Sequence, residues 1–299
     1  MTPGVPEPLG SVGDYTLLER LDPAGPGELY RARDTRRGRT VALRLLIPGE
    51  ATTADVRSAW VREHRALAAF THPNVTTIFD AGESVGRCYL VFEFVKGRSL
   101  RAEIGGRPLP PRRAVDLTVQ IADAIAEINA AGLEPAGLGA ESIMVTEKGH
   151  AKIPLATLAA RGGFDDGSEL RLREVRPPEA REGEARDEGA DVFTVGSLLY
   201  EMLSAQPPRG VQQAPSTVNA LVPKELDAAA IRATAQQPGY RYQSLVTMAA
   251  ELRSIAAILD VREAAADEAA AAAPPSAGRL ALLLLGLAVV AALGWWLLR

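Results

Sequence analysis

Apolar residues fall along this chain in three textures, and their order predicts the architecture. From Tyr15 to Leu46 short apolar runs (YTLLERL, ELYRAR, TVALRLL) are broken by turn residues, which predicts three antiparallel strands. Val56, Trp60, Leu67 and Phe70 then recur at helical spacing over Ala54 to Phe70. Two further strand-like runs follow, Asn74 to Asp80 and Cys88 to Val95, with turn signals at Gly82 and Gly86. Beyond Gly97 the period becomes helical. Leu117, Ile121, Ala124, Ile125 and Ile128 mark one helix, which Gly132 stops. Val192, Val195, Leu199, Met202 and Leu203 mark another, ended by Gln206-Pro207-Pro208. Further helices are expected over Lys224 to Thr234 and Leu245 to Leu259. The pattern predicts an α+β fold: a small lobe of antiparallel strands with one helix (14–96), then a larger helical lobe (97–260).

The ends have a different texture. Residues 1–13 are rich in Pro and Gly and lack an apolar stretch, so they are expected to be a disordered lead-in rather than a signal peptide. Residues 261–279 read as an Ala- and Pro-rich linker, helical at its start and broken at Pro274-Pro275. Leu280 to Leu298 carries no charge. Its 19 residues span about 28 Å as a helix, which predicts a single transmembrane helix. Arg279 and Arg299 would flank it and Trp295-Trp296 would lie at an interface, leaving the bulk of the chain on the cytoplasmic side of the cell membrane.

Composition narrows the chemistry. A net charge of -4 without a long basic run argues against nucleic acid as the ligand. Cys88 is the only cysteine, so no internal disulfide forms, and its apolar flank predicts a buried, inert thiol. His64, His72 and His150 lack metal-site spacing, and no zinc is expected. Lysine is confined to Lys96, Lys148, Lys152 and Lys224.

Several strings in this order resemble a bacterial Ser/Thr protein kinase domain over Asp14 to Leu259. They are Val41-Ala42-Leu43-Arg44 for V-A-I-K, Glu63 for the glutamate of the first helix, and His72-Pro73-Asn74-Val75 for H-P-N-I. Leu90-Val91-Phe92-Glu93 with Gly97-Arg98-Ser99-Leu100 is similar to the hinge, Pro177-Pro178-Glu179 to A-P-E, and Asp191, Gly196, Tyr200-Glu201-Met202-Leu203 and Arg241-Tyr242 complete the set. Each string is weak alone. Together they imply the two-lobed kinase fold.

The same resemblance implies that the reagents are missing. The catalytic aspartate position holds Gly137, the phosphate-contacting lysine Gly139, the metal-binding asparagine Ser142 and the metal-binding aspartate Leu155. No aspartate lies between Asp123 and Asp165, and no lysine precedes Lys96, so neither is relocated nearby. Glu134 and Glu141 read as exposed loop charges. In the phosphate loop Gly25 and Gly27 remain, but Asp22 and Ala24 stand at the first two family glycines, which implies poor phosphate cradling. Arg44 replaces the strand lysine, with Glu63 as its expected partner. Leu29, Ala42, Phe92 and Met144 would form an adenine slot, with the backbone of Glu93 and Val95 as its hydrogen-bonding edge. What remains is structural: Glu179 is expected to pair with Arg241, and Asp191 to hold the catalytic loop. The segment from Leu155 to Glu179 has only Thr157 and Ser168 as hydroxyl side chains and is not expected to switch by phosphorylation.

These residues imply a pseudokinase tethered to a membrane, acting on protein partners, an active kinase among them. No cofactor is required. At most ATP binds weakly, and Mg²⁺ is not expected. Two alternatives stay open: a divergent kinase or ATP-binding enzyme with relocated residues, and a bare spacer for a membrane anchor.

Overall fold

A computed structural model describes residues 8–21, 27–47, 53–133, 138–154, 177–179, 187–208 and 213–272. The chain divides into two compact units, Met1–Ala256 and Ala257–Arg299. Within the first, the strands are β1 (Gly10–Val12), β2 (Tyr15–Leu21), β3 (Glu28–Asp34), β4 (Arg39–Leu45), β5 (Ile78–Ser84) and β6 (Arg87–Glu93). They form one antiparallel sheet in the order β1-β2-β3-β4-β6-β5. Alternation along the strands sends Val12, Tyr15, Leu17, Ala32, Val41, Leu43, Leu45, Tyr89 and Val91 into one buried cluster. Two sequence expectations are corrected here. Residues 10–12 belong to the sheet rather than to a disordered lead-in, because Val12 is buried in that cluster while β1 pairs with β2. Gly82 lies inside β5 and makes no turn.

The β5–β6 turn is instead Val85-Gly86, a two-residue loop between the paired Ser84 and Arg87. Both central residues have positive φ, 50° at Val85 and 73° at Gly86, as a type I′ hairpin requires. A β-branched side chain is strained there, and Val85 is 99% exposed, so no packing offsets the strain. Val85→Asn is therefore expected to raise stability by up to about 1 kcal/mol, read as an upward shift of the thermal midpoint.

Helix α1 (Ala54–Ala66) follows, capped by the Thr53 hydroxyl, and presents Trp60 and His64 to the sheet. The helical lobe holds α2 (Leu100–Ile104), α3 (Pro111–Ala130), α4 (Glu188–Ser204), α5 (Lys224–Ala233) and α6 (Leu245–Ala272). Its centre is α4, buried on nearly every face. Thr194, Ser197 and Ser204 are tolerated there because each hydroxyl donates to the carbonyl four residues back, at 2.7–3.0 Å. A three-stranded sheet of β7 (Gly97–Ser99), β8 (Met144–Thr146) and β9 (Ala151–Lys152) was not expected, since strands of two or three residues leave no periodic signal.

At its far end α6 continues as helix through Ala272, as expected for the start of the linker, because Ala, Glu and Arg are strong helix formers. Among the described residues no helix is long and apolar enough to cross a membrane. The segment 280–298 and the expected break at Pro274-Pro275 lie outside them.

Candidate functional site

The expected adenine slot is assembled from neighbouring strands. Register sets Ala42 opposite Phe92 and Leu29 opposite Arg44, so β3, β4 and β6 bring four of its residues together. Ala42 and Phe92 are buried; Leu29, Glu93, Val95 and Met144 are half-buried. Met144 belongs to the other sheet, where it pairs with Ser99 just beyond the hinge.

Lysine 152 anchors this hinge. Its Nζ donates to the Glu93 carboxylate at 2.8 Å and to the Val75 carbonyl at 3.4 Å. The Glu93 amide in turn donates to the Thr77 carbonyl at 2.9 Å. The hinge glutamate is therefore tied to β9 of the second sheet, a role that sequence reading missed. The scarcity of lysine in the chain was its one signal.

Gly27 has φ +82°, and a Cβ there would lie 2.4 Å from the Leu45 carbonyl oxygen. Close packing on β4 thus requires this glycine whether or not a phosphate binds. Gly25, Asp22 and Ala24 lie outside the described residues.

The expected Arg44–Glu63 pair is not formed. Arg44 is 3% exposed, and burial pulls its guanidinium down to about 10. Glu63 faces water on α1, and among the described residues no ion pair joins the two. The reason is the rotation of α1. The inward place is taken by His64, whose ring stacks on Trp60 with centroids 3.9 Å apart. A neutral imidazole is far cheaper to bury than a carboxylate.

In the catalytic-loop region the frame is held by hydrogen bonds from Leu100 N to the Ile143 carbonyl and from Arg101 N to the Ala140 carbonyl, both 2.7 Å. Ser142 is 4% exposed. Its hydroxyl donates to the Gly139 carbonyl at 3.0 Å and accepts from the Gly139 amide at 3.1 Å. This is a local clasp of the backbone. Mg²⁺ prefers carboxylate and water oxygens, and a hydroxyl already committed to its own loop does not fit that donor set; Leu155 has no side-chain oxygen at all. Gly137, Glu134 and Leu155 lie outside the described residues. Glu141, expected to be an exposed charge, is bonded to Arg101 Nε at 3.0 Å, and the same guanidinium reaches the buried Glu201 of α4.

Of the expected structural residues, Glu179 and Arg241 are paired. Arg241, 1% exposed, makes a bidentate pair with Glu179 at 2.5 and 2.7 Å. It also donates to the carbonyls of Ala235 (2.8 Å) and Gly189 (3.0 Å) and lies over the Phe193 ring at 4.7 Å. Asp191, 3% exposed, accepts from Asn129 Nδ2 at 2.7 Å. Asn74 Nδ2 donates to Gln120 Oε1 (2.8 Å) and the Ala151 carbonyl (2.9 Å), binding the turn after α1 to α3 and β9. Cys88 is fully buried, its thiol pushed up to about 11 by desolvation, in keeping with an inert side chain.

Residues 15–256 match the protein kinase domain family. The chain belongs to that family. A probable serine/threonine-protein kinase of Streptomyces coelicolor is 31% identical over 274 residues, covering 83% of this chain and 41% of that protein. The serine/threonine-protein kinase PknD of Mycobacterium tuberculosis is 30% identical over 264 residues, covering 82% and 40%. This kinase-family chain thus spans about two fifths of the length of these relatives. The PknI kinase domain of Mycobacterium tuberculosis shares the fold at TM-score 0.65 and 20% identity, covering 82% of this chain and 98% of that one. A second solved structure, the PpkA-294 apo form, aligns at TM-score 0.65 and 20% identity over 83% and 100%.

Proposed function

We propose that this chain is a membrane-anchored pseudokinase, a kinase-fold module that engages protein partners, an active kinase among them, rather than transferring phosphate. The observation that carries the reading is the dismantled charge pair of the small lobe: Arg44 buried in the sheet, Glu63 turned to water. Gly137, Gly139, Ser142 and Leu155 at the reagent positions point the same way. A positioned base alone is worth about 10²–10⁴ in rate, so its loss together with the metal-binding side chains leaves little phosphoryl transfer. The bidentate pair of Glu179 with the buried Arg241 supports a module kept for its shape. The uncharged run 280–298, long enough to span a bilayer, supports anchorage with the kinase-fold domain on the cytoplasmic side.

Any residual nucleotide affinity rests on the apolar slot of Leu29, Ala42, Phe92 and Met144. In a thermal-shift titration of the full chain in detergent, ATP is expected to raise the midpoint by less than about 2 °C. That follows from a dissociation constant no tighter than the ligand concentration, which stabilises by at most about 0.4 kcal/mol. Added Mg²⁺ is expected to change nothing. A strictly Mg²⁺-dependent shift, with labelled phosphate appearing on a model protein substrate, would overturn the reading.

A further inference from the structure

We propose that His64 makes the docking of α1 on the small-lobe sheet sensitive to protons, so that the helix is held at neutral pH and loosened as its surroundings acidify. The proposal does not depend on whether the chain transfers phosphate. It rests on how the ring is held. His64 is 1% exposed and stacks on Trp60 at an interplanar angle of 18°. Its Nδ1 lies 2.8 Å from the Trp60 carbonyl oxygen. A carbonyl only accepts, so Nδ1 carries the proton and Nε2 presents a bare lone pair. That Nε2 is buried and has no hydrogen-bond partner among the described residues. A second proton would sit on a solvent-shielded atom with no acceptor among the described residues, and the docked helix tolerates only the neutral ring.

The surrounding charges do not compensate. On α1, Glu63 is the carboxylate whose charge acts on the ring, and it is itself in water. Arg57 and Arg65, on the same helix, are engaged with Glu83 (2.9 Å) and Asp80 (3.5 Å) of β5. From β6, Arg87 is paired with Glu28 at 2.7 Å, and the Cys88 thiol, 3.9 Å from the Arg57 carbonyl, is held neutral by burial. The Leu67–Ala69 turn carries no charge. Burial accordingly holds the imidazole below its ordinary value of 6.5, against smaller opposing contributions from the Trp60 carbonyl and Glu63. The sign follows. The undocked helix binds the extra proton more readily, so docking is fully favourable above about 6.5 and weakens as pH falls below it.

The experiment is hydrogen exchange on the full chain, with amide rates corrected for their intrinsic pH dependence. Between about pH 7.5 and about pH 5.5, opening of α1 relative to α3 is expected to rise by up to about tenfold, the limit for one proton excluded from the docked state. His64→Phe keeps the stacked ring without a titrating nitrogen and is expected to flatten that rise. An α1 to α3 ratio that does not change with pH in the native chain, or a rise that persists in His64→Phe, would overturn the proposal. Should the variant not fold, the ring's own titration in the native chain, followed by NMR, decides: a midpoint below the ordinary value supports it, and one at or above that value overturns it.

Discussion

Replacing Arg241 with alanine is expected to destabilise the domain by about 2–4 kcal/mol, since it removes a bidentate charge-assisted pair and two further hydrogen bonds from a buried side chain. The side chain is wholly buried, it holds both Glu179 oxygens, and it satisfies the carbonyls of Ala235 and Gly189, which truncation would leave without that donor. In a domain of this size the thermal midpoint should fall by roughly 4–16 °C. Lysine should rescue only part of the loss, since a point charge cannot span two carboxylate oxygens and two carbonyls. Acid reports the same contact. Hydrogen bonds from Arg241 hold the Glu179 carboxyl below its ordinary value of 4.5. A depressed carboxylate contributes stability that is present above that value and is lost as pH falls through the folded one. Glu179→Gln should therefore lower stability at neutral pH and flatten the acid limb of the stability profile. A midpoint for Arg241→Ala within about 2 °C of the native chain would show that the pair carries little of the fold.

That contact was legible because each residue sits inside a motif whose order along the chain specifies the fold; 62 positions of separation would otherwise have hidden it. Helix α3 was legible for a different reason, the 3.6-residue recurrence of its buried positions, and α4 through the spacing of its large apolar residues Val192, Val195, Leu199, Met202 and Leu203. Where neither motif nor period was present, the chain kept its structure to itself. The strands β1, β7, β8 and β9 are too short to alternate. The pairs Lys152–Glu93 and Arg101–Glu141 join residues 59 and 40 apart outside any reagent position.

Helix α1 is the instructive failure. Glu63 and His64 lie three and four residues after Trp60, and four and three before Leu67, so periodicity alone cannot choose which of them faces the sheet. Desolvation chooses. An imidazole buried neutral needs one hydrogen bond, which the Trp60 carbonyl accepts, whereas a carboxylate needs a cation close at hand. With arginine in place of lysine on β4, that neighbour is bulkier and already buried, and the helix turns its histidine inward. The candidate site was therefore legible as a set of missing reagents but not as a rearranged helix.

A kinase fold depends on the packing of its helical lobe, and Gly196→Ala tests that packing where two effects of opposite sign compete. Alanine is favoured over glycine inside a helix by about 1 kcal/mol, and Gly196 lies in the middle of α4. A Cβ at that position, however, would lie 2.4 Å from Cβ and 3.0 Å from the carbonyl carbon of Ala233 on α5. The second contact is with backbone, so no side-chain rotation relieves it and the two helices must separate. Overpacking of this kind costs about 1–3 kcal/mol, which outweighs or at best cancels the helix-propensity gain. Gly196→Ala is expected to lower stability by up to about 2 kcal/mol, and Gly196→Val by more, since its branched carbon meets the same wall. Ala233→Gly removes the nearer of the two contacts. Added to Gly196→Ala it should recover part of the loss, with a coupling of about 0.5–2 kcal/mol in a double-mutant cycle by chemical denaturation. Zero coupling would mean that α4 and α5 do not touch at this glycine, and that its presence in the motif has some cause other than close approach of the helices.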